Sequence, residues 1–142
     1  MFICMPKKLS PGRKLSRRQQ RDLDIEISFM QGVVRRDPKF VEALQILGDD
    51  YTRRGKFQEG LKVDKKLAQL RPEDPTMLYN LACSYCLTKR YERAVAALSR
   101  AIEQGYRDFK WLIKDPDLRG LRQHPLFKKI QLKILSVKIK VK

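Results

Sequence analysis

The chain has 142 residues, of which 42% are apolar and 34% charged, and it carries a formal net charge of +16. That length suits one domain with a modest core and argues against two independent ones. No stretch of 18 apolar residues occurs, and the apolar start Met1–Pro6 is short and followed, not preceded, by Lys7 and Lys8, so neither a membrane-spanning helix nor an export signal is expected and a cytoplasmic protein is.

The charge is unevenly spread. Residues 1–21 hold seven basic side chains, Lys7, Lys8, Arg13, Lys14, Arg17, Arg18 and Arg21, and no acid. Residues 128–142 hold six lysines and again no acid, which leaves only +3 for residues 22–127. In chain order, residues 1–17 read as a basic, disordered arm. Residues 18–36 follow as a helix in which Ile25, Phe29 and Val33 recur at helical spacing. Pro11 and Gly12 interrupt the stretch where a helical partner would precede it.

From residue 41 the chain repeats itself. A shift of 34 positions lays Leu44 on Leu78, Leu47 on Leu81, Gly48 on Ala82, Tyr51 on Tyr85, Phe57 on Tyr91, Gly60 on Ala94 and Leu61 on Val95. Each unit, about 41–74 and 75–108, splits into two amphipathic helices, 41–53 with 57–70 and 75–87 with 91–104, joined at Arg54-Gly55-Lys56 and Thr88-Lys89-Arg90. Small residues at 48, 60, 82 and 94 predict close antiparallel approach, and Pro72 and Pro75 separate the units. A hairpin of this kind cannot bury its own apolar face, so the expected fold is an all-α solenoid of stacked pairs. A capping segment follows over 109–130, with Trp111, Leu112, Leu118, Leu121 and Phe127 expected to cover the last pair. Asp115 and Asp117 read there as helix-start caps. The Lys-rich tail 131–142 ends in the alternating Val137-Lys138-Ile139-Lys140-Val141-Lys142, the pattern of a half-buried strand or a frayed end.

The paired helices resemble the tetratricopeptide repeat. Leu47, Gly48, Tyr51, Phe57 and Pro72 match its signature in the first unit, and Leu81, Ala82, Tyr85, Tyr91, Ala94, Leu98 and Ala101 in the second. Asp64 stands where an aromatic is usual. Residues 105–127, with Gly105-Tyr106, Trp111-Leu112, Asp115-Pro116-Asp117-Leu118 and Pro125-Leu126-Phe127, resemble the segment that closes many bacterial arrays of this family. The resemblance covers about residues 18–130. It implies a concave groove lined by the first helix of each pair: Gln45, Ile46, Asp49 and Arg53 in one unit, Tyr79, Asn80, Cys83 and Leu87 in the next, with Glu42, Thr52 and Cys86 beside them and Lys110 and Lys114 from the cap. It also implies a partner protein or peptide as ligand. In chaperone-binding relatives an Asn and two basic residues at the places of Asn80, Lys110 and Lys114 grip a carboxylate, but Asp49 here would repel an anion.

Nothing in the sequence assembles a catalytic constellation, and no cofactor or metal is expected. Cys83 and Cys86 have redox or zinc spacing, yet they fall within a helical pattern with no second pair, and the one histidine, His124, is distant, so they read as small packing residues. His124 itself reads as a turn or helix-start residue of the cap. The expected role is therefore a non-catalytic adaptor or scaffold. The alternative is a nucleic-acid or ribosome-associated protein acting through Lys7, Lys8, Arg13, Lys14, Arg17, Arg18 and Arg21, which predicts strongly salt-dependent binding. The incomplete first repeat also points to self-association through its uncovered face.

Overall fold

The computed structural model describes residues 14–140. Ser16 opens the first helix, α1 (Arg17–Arg36), with a capping box: its hydroxyl accepts from Gln19 N–H at 3.1 Å, and the Gln19 side chain accepts from Ser16 N–H at 2.9 Å. Helix therefore begins within the stretch assigned to the basic arm, at Arg17. Two hairpins follow, α2 (Val41–Arg53) with α3 (Phe57–Leu70) and α4 (Pro75–Leu87) with α5 (Tyr91–Glu103). The remainder comprises α6 (Phe109–Leu112), a 3-10 turn at Pro116–Leu118, α7 (Arg119–Arg122) and α8 (Phe127–Lys140). No strand occurs among the described residues, so the fold is the expected all-α array.

The hairpin turns repeat with the sequence. Lys56 N–H donates to Tyr51 C=O at 2.7 Å, and 34 residues later Arg90 N–H donates to Tyr85 C=O at 2.8 Å. A bond of that span ends a helix only if the residue before the donor is left-handed, and Gly55 (φ 84°) and Lys89 (φ 61°) are. Glycine adopts that conformation freely and lysine does not. Pro75 sits in the first turn of α4, where Asp74 accepts from the Thr76 and Met77 N–H groups.

Each helix packs on its neighbours in chain order, α1 on α2, α2 on α3, α3 on α4 and α4 on α5, with α8 closing on α5. Small residues set the spacing within a hairpin. A Cβ on Gly60 would lie 3.7 Å from Gly48 C=O and 3.1 Å from Thr52 Oγ1, and one on Gly48 would lie 3.2 Å from Val63 Cγ1. In the second hairpin Ala82 and Ala94 are fully buried. Leu44, Leu47, Tyr51, Val63 and Leu67 form one core with Ile27 and Met30 of α1. Leu78, Tyr85, Leu98 and Ile102 form the other, and Leu112, Leu118, Leu121, Phe127 and Ile130 cover its far side as the cap. Each fully buried leucine there contributes roughly 1.5–3 kcal/mol.

The two ends of the array add to the sequence reading, and the second corrects it. The buried line of α1 is Leu23, Ile27 and Met30, whereas Ile25 and Phe29 are 63% and 69% exposed. The helix packs chiefly on α2, so the face that a preceding partner helix would cover stays open. The C-terminal segment is neither strand nor frayed tail up to residue 140: Phe127, Ile130 and Ile134, with Val137 partly buried, recur at helical spacing and dock α8 on the core, so the cap runs past residue 130. The alternation at its end is incidental to that docking. Residues 141 and 142 lie outside the described residues.

Because Lys89 holds a conformation that costs a non-glycine residue roughly 1–2 kcal/mol, Lys89→Gly is expected to leave the fold intact and raise stability by up to about 1 kcal/mol in chemical denaturation, the unfolded-state entropy of glycine offsetting part of the gain.

Candidate functional groove

The first helices of the two hairpins, α2 and α4, bound a cavity of about 190 Å³. Glu42, Gln45, Ile46, Asp49 and Thr52 line it from α2, and Thr76, Asn80, Cys83 and Ser84 from α4. Its floor is Gly48 with Asp64 and Leu67 of α3, and the cap contributes Asp117. Of the groove residues expected from sequence, Gln45, Ile46, Asp49, Asn80 and Cys83 are thus brought together.

The others lie elsewhere. Tyr79 is only 2% exposed: its ring stacks on Tyr106 at 4.2 Å between centroids, and its hydroxyl donates to Asp115 Oδ2 at 2.7 Å. The cap folds back over this side of α4 and turns an expected groove residue into core. Arg53 is at the exposed end of α2, 4.0 Å from the carboxylates of Asp49 and Asp50. Leu87 is half-buried at the end of α4, outside the cavity wall, and Lys110 and Lys114 are exposed on the cap away from it. Of the three clamp positions, Asn80 alone lines the cavity. What the cap brings to the cavity is an acid, Asp117, because its Pro116–Leu118 turn is the part that lies against α4.

The lining is consequently acidic. Glu42, Asp49, Asp64 and Asp117 face it and no lysine or arginine does. Asp64 accepts a hydrogen bond from Ser84 Oγ, tying α3 to α4 at the joint between hairpins. Its place in the repeat, filled by Leu98 one period later, marked it as anomalous in the sequence. One period before Ser84, at the joint between α1 and α2, stands Asp50. Burial pushes the Asp50 carboxyl up to about 8, the hydrogen-bonded Glu26 and the nearby Asp49 adding to the shift and Arg53 opposing it.

Beneath the groove Asp115 is a hub. Its Oδ2 accepts from Tyr79 and, at 3.7 Å, from the Cys83 thiol, and its Oδ1 accepts from Asp117 N–H at 2.9 Å. That last bond is the expected cap of the following turn. Burial, with Cys83 and Asp115 beside it, holds the Tyr79 phenol far above its ordinary pKa. Among the described residues, Cys83, Asp115 and Asp117 are the groups whose ligand-type atoms lie within 4.8 Å of one another, close enough to share a cation. Both oxygens of Asp115 already accept protein donors, so the geometry is that of a polar clasp between cap and α4. Cys86 is buried, and burial pushes its thiol up to about 11, which keeps it protonated and unreactive at neutral pH. The His124 ring lies tilted by 30° against Tyr91 with centroids 4.8 Å apart, and its Nδ1 accepts from Leu126 N–H at 3.1 Å, a turn-stabilising role.

Of the basic residues of the alternative reading, Lys7, Lys8 and Arg13 lie outside the described residues. Lys14 precedes α1, and Arg17, Arg18 and Arg21 are exposed on its first turns.

No protein-family model matches the chain. Among known proteins it is similar to a chloroplastic protein of Arabidopsis thaliana, with 33% identity over 79 residues, 54% of this chain and 24% of that protein. It is 31% identical to the PEX5-related protein of Mus musculus over 101 residues, 71% of this chain and 18% of the relative. To the peroxisomal targeting signal receptor of Komagataella phaffii it is 34% identical over 92 residues, 63% of this chain and 16% of that receptor. The chain thus spans a quarter or less of the length of these relatives. The similarities and the stacked helical pairs together fit a tetratricopeptide-type repeat protein. No helix among the described residues is long and apolar enough to cross a membrane.

Two measurements check these electrostatics. Folded Asp50 holds a proton that the unfolded chain, with an ordinary carboxyl near 3.8, releases, so this group makes stability fall as pH rises from about 4 to about 8. Asp50→Asn is expected to flatten that decline in thermal melts recorded across the window and to raise the melting temperature most at its alkaline end. Tyr79→Phe removes a donor from buried Asp115 and is expected to cost about 1–3 kcal/mol in chemical denaturation.

Proposed function

We propose that the chain is a non-catalytic, tetratricopeptide-type interaction module that holds a basic segment of a partner protein in the groove between α2 and α4. The observation that carries this reading is the groove's lining: the solvent-accessible carboxyls of Glu42 and Asp49 above the buried Asp64 and Asp117, with apolar support from Ile46 and Leu67 and no basic side chain. A cavity of that kind places hydrogen-bond acceptors and negative potential around an incoming lysine or arginine, and Asn80 and Gln45 can bind the backbone of an extended segment by their amides. The net charge of the whole chain is of the opposite sign, so selectivity comes from the groove and not from the overall field. The similarity to a targeting-signal receptor supports a peptide-binding role in general terms. The hydrogen-bonded Asp115 hub and the protonated Cys86 thiol favour a binding role over a catalytic one, and cytoplasmic work is consistent with it.

The test is a fluorescence-anisotropy titration of the full chain with two labelled decapeptides of one apolar framework, one bearing four lysines and the other four glutamates. Tight, saturable binding of the lysine peptide, weakened at least ~10-fold by Asp49→Lys or Glu42→Lys, is the expected result. Preference for the glutamate peptide, or lysine-peptide binding indifferent to both reversals, overturns the reading. A single-stranded oligonucleotide in a third titration separates the basic-arm alternative: binding that collapses between about 50 and 200 mM salt and ignores the groove variants would favour it.

A further inference from the structure

We infer that α1 is a dimerisation helix, pairing antiparallel with α1 of a second copy of this chain about a two-fold axis at Phe29. The argument begins from the repeat. One period after Phe29 and Val33 stand Val63 and Leu67 of α3, both buried in the core that α2 closes, with Val63 Cγ1 against Gly48. By position, α1 is the second helix of a pair. Its Phe29 is 69% exposed and Val33 only partly covered, because no first helix lies on that face among the described residues.

The stripe along the open face is Arg18, Asp22, Ile25, Phe29, Val33 and Arg36, spaced by four, three, four, four and three residues, a straight seam on one side of the helix. It extends over about 27 Å at 1.5 Å per residue. Its composition is self-complementary in one direction. With two copies antiparallel and centred on Phe29, the phenylalanines meet each other, Ile25 meets the second copy's Val33, and Asp22 meets the second copy's Arg36. The Phe29 contact lies on the axis and occurs once, and the other two each occur twice, as a two-fold interface requires. In a parallel pairing Asp22 would meet Asp22 and Arg36 would meet Arg36, like charge on like, so the antiparallel register is selected. The opposite end of the stack offers no rival of this type: α8 carries exposed Leu132, Leu135 and Ile139, but it has lysines and no acid, so two such helices repel. The groove lies on the other helices and is unaffected.

Sedimentation-velocity runs on the full chain, from about 1 to 100 µM, test the inference. The wild type is expected to be a dimer at the upper end. Phe29→Glu is expected to shift the midpoint at least ~10-fold to higher concentration, with unchanged helical circular dichroism because the residue is exposed. Asp22→Arg and Arg36→Asp are each expected to weaken the dimer, and the double variant to recover it, since the ion pair re-forms with its signs exchanged. A wild type that stays monomeric throughout overturns the proposal, as does a dimer indifferent to Phe29→Glu. A double variant no stronger than either single one overturns the antiparallel register. None of these results bears on the groove titrations.

Discussion

The molecule rests on one constraint: a helical hairpin has two apolar sides and can bury only one of them within itself. The inner side is closed by small residues, Gly48 against Gly60 in the first pair and Ala82 with Ala94 in the second, which let the backbones approach. The outer side must be covered by the next helix, so each pair presents its second helix to the first helix of the following one. Substituting a bulky residue at these contacts would disturb the spacing of the whole stack, because close-packed interiors transmit such a displacement.

Stacking by apolar contact alone would leave neighbouring pairs free to slide. Polar pairs at the joints fix their register: Asp64 with Ser84 between α3 and α4, and Tyr79 with Asp115 between α4 and the cap. A buried acceptor that loses its donor is costly, so each pair admits one arrangement and penalises others. The same residues set the character of the groove, since Asp64 and Ser84 also line the cavity. Structural pinning and surface acidity therefore share their side chains, and neither can change without the other.

The ends of the stack meet the coverage requirement differently. At the C-terminal end the chain supplies its own cover, with Leu112, Leu118, Leu121 and Ile130 all fully buried against α4 and α5. At the N-terminal end α1 covers α2 but has its own outer face in water. This asymmetry gives one end a finished surface and leaves the other with apolar side chains in water, and it follows from the lack of a single covering helix among the described residues.

The period of 34 residues, the two hairpins, the small-residue contacts and the cap were legible in the sequence, because each depends on residue type at fixed spacing along one helix. Asp64 was visible as a departure from the repeat and Asp115 and Asp117 as helix-start caps, though their partners were not. What only the tertiary structure decided is which side of a helix meets which neighbour. Tyr79 has the spacing of a groove residue and is core because the cap, distant in sequence, folds back onto it. Ile25 and Phe29 have the spacing of core and lie in water because no described helix before α1 covers them. The alternating lysines after Val137 suit a strand, yet docking of Phe127, Ile130 and Ile134 on α5 carries the helix through to Lys140. Periodicity fixes the local element and its apolar line; the choice between buried and bare depends on contacts between distant parts of the chain, and those are absent from any window of sequence.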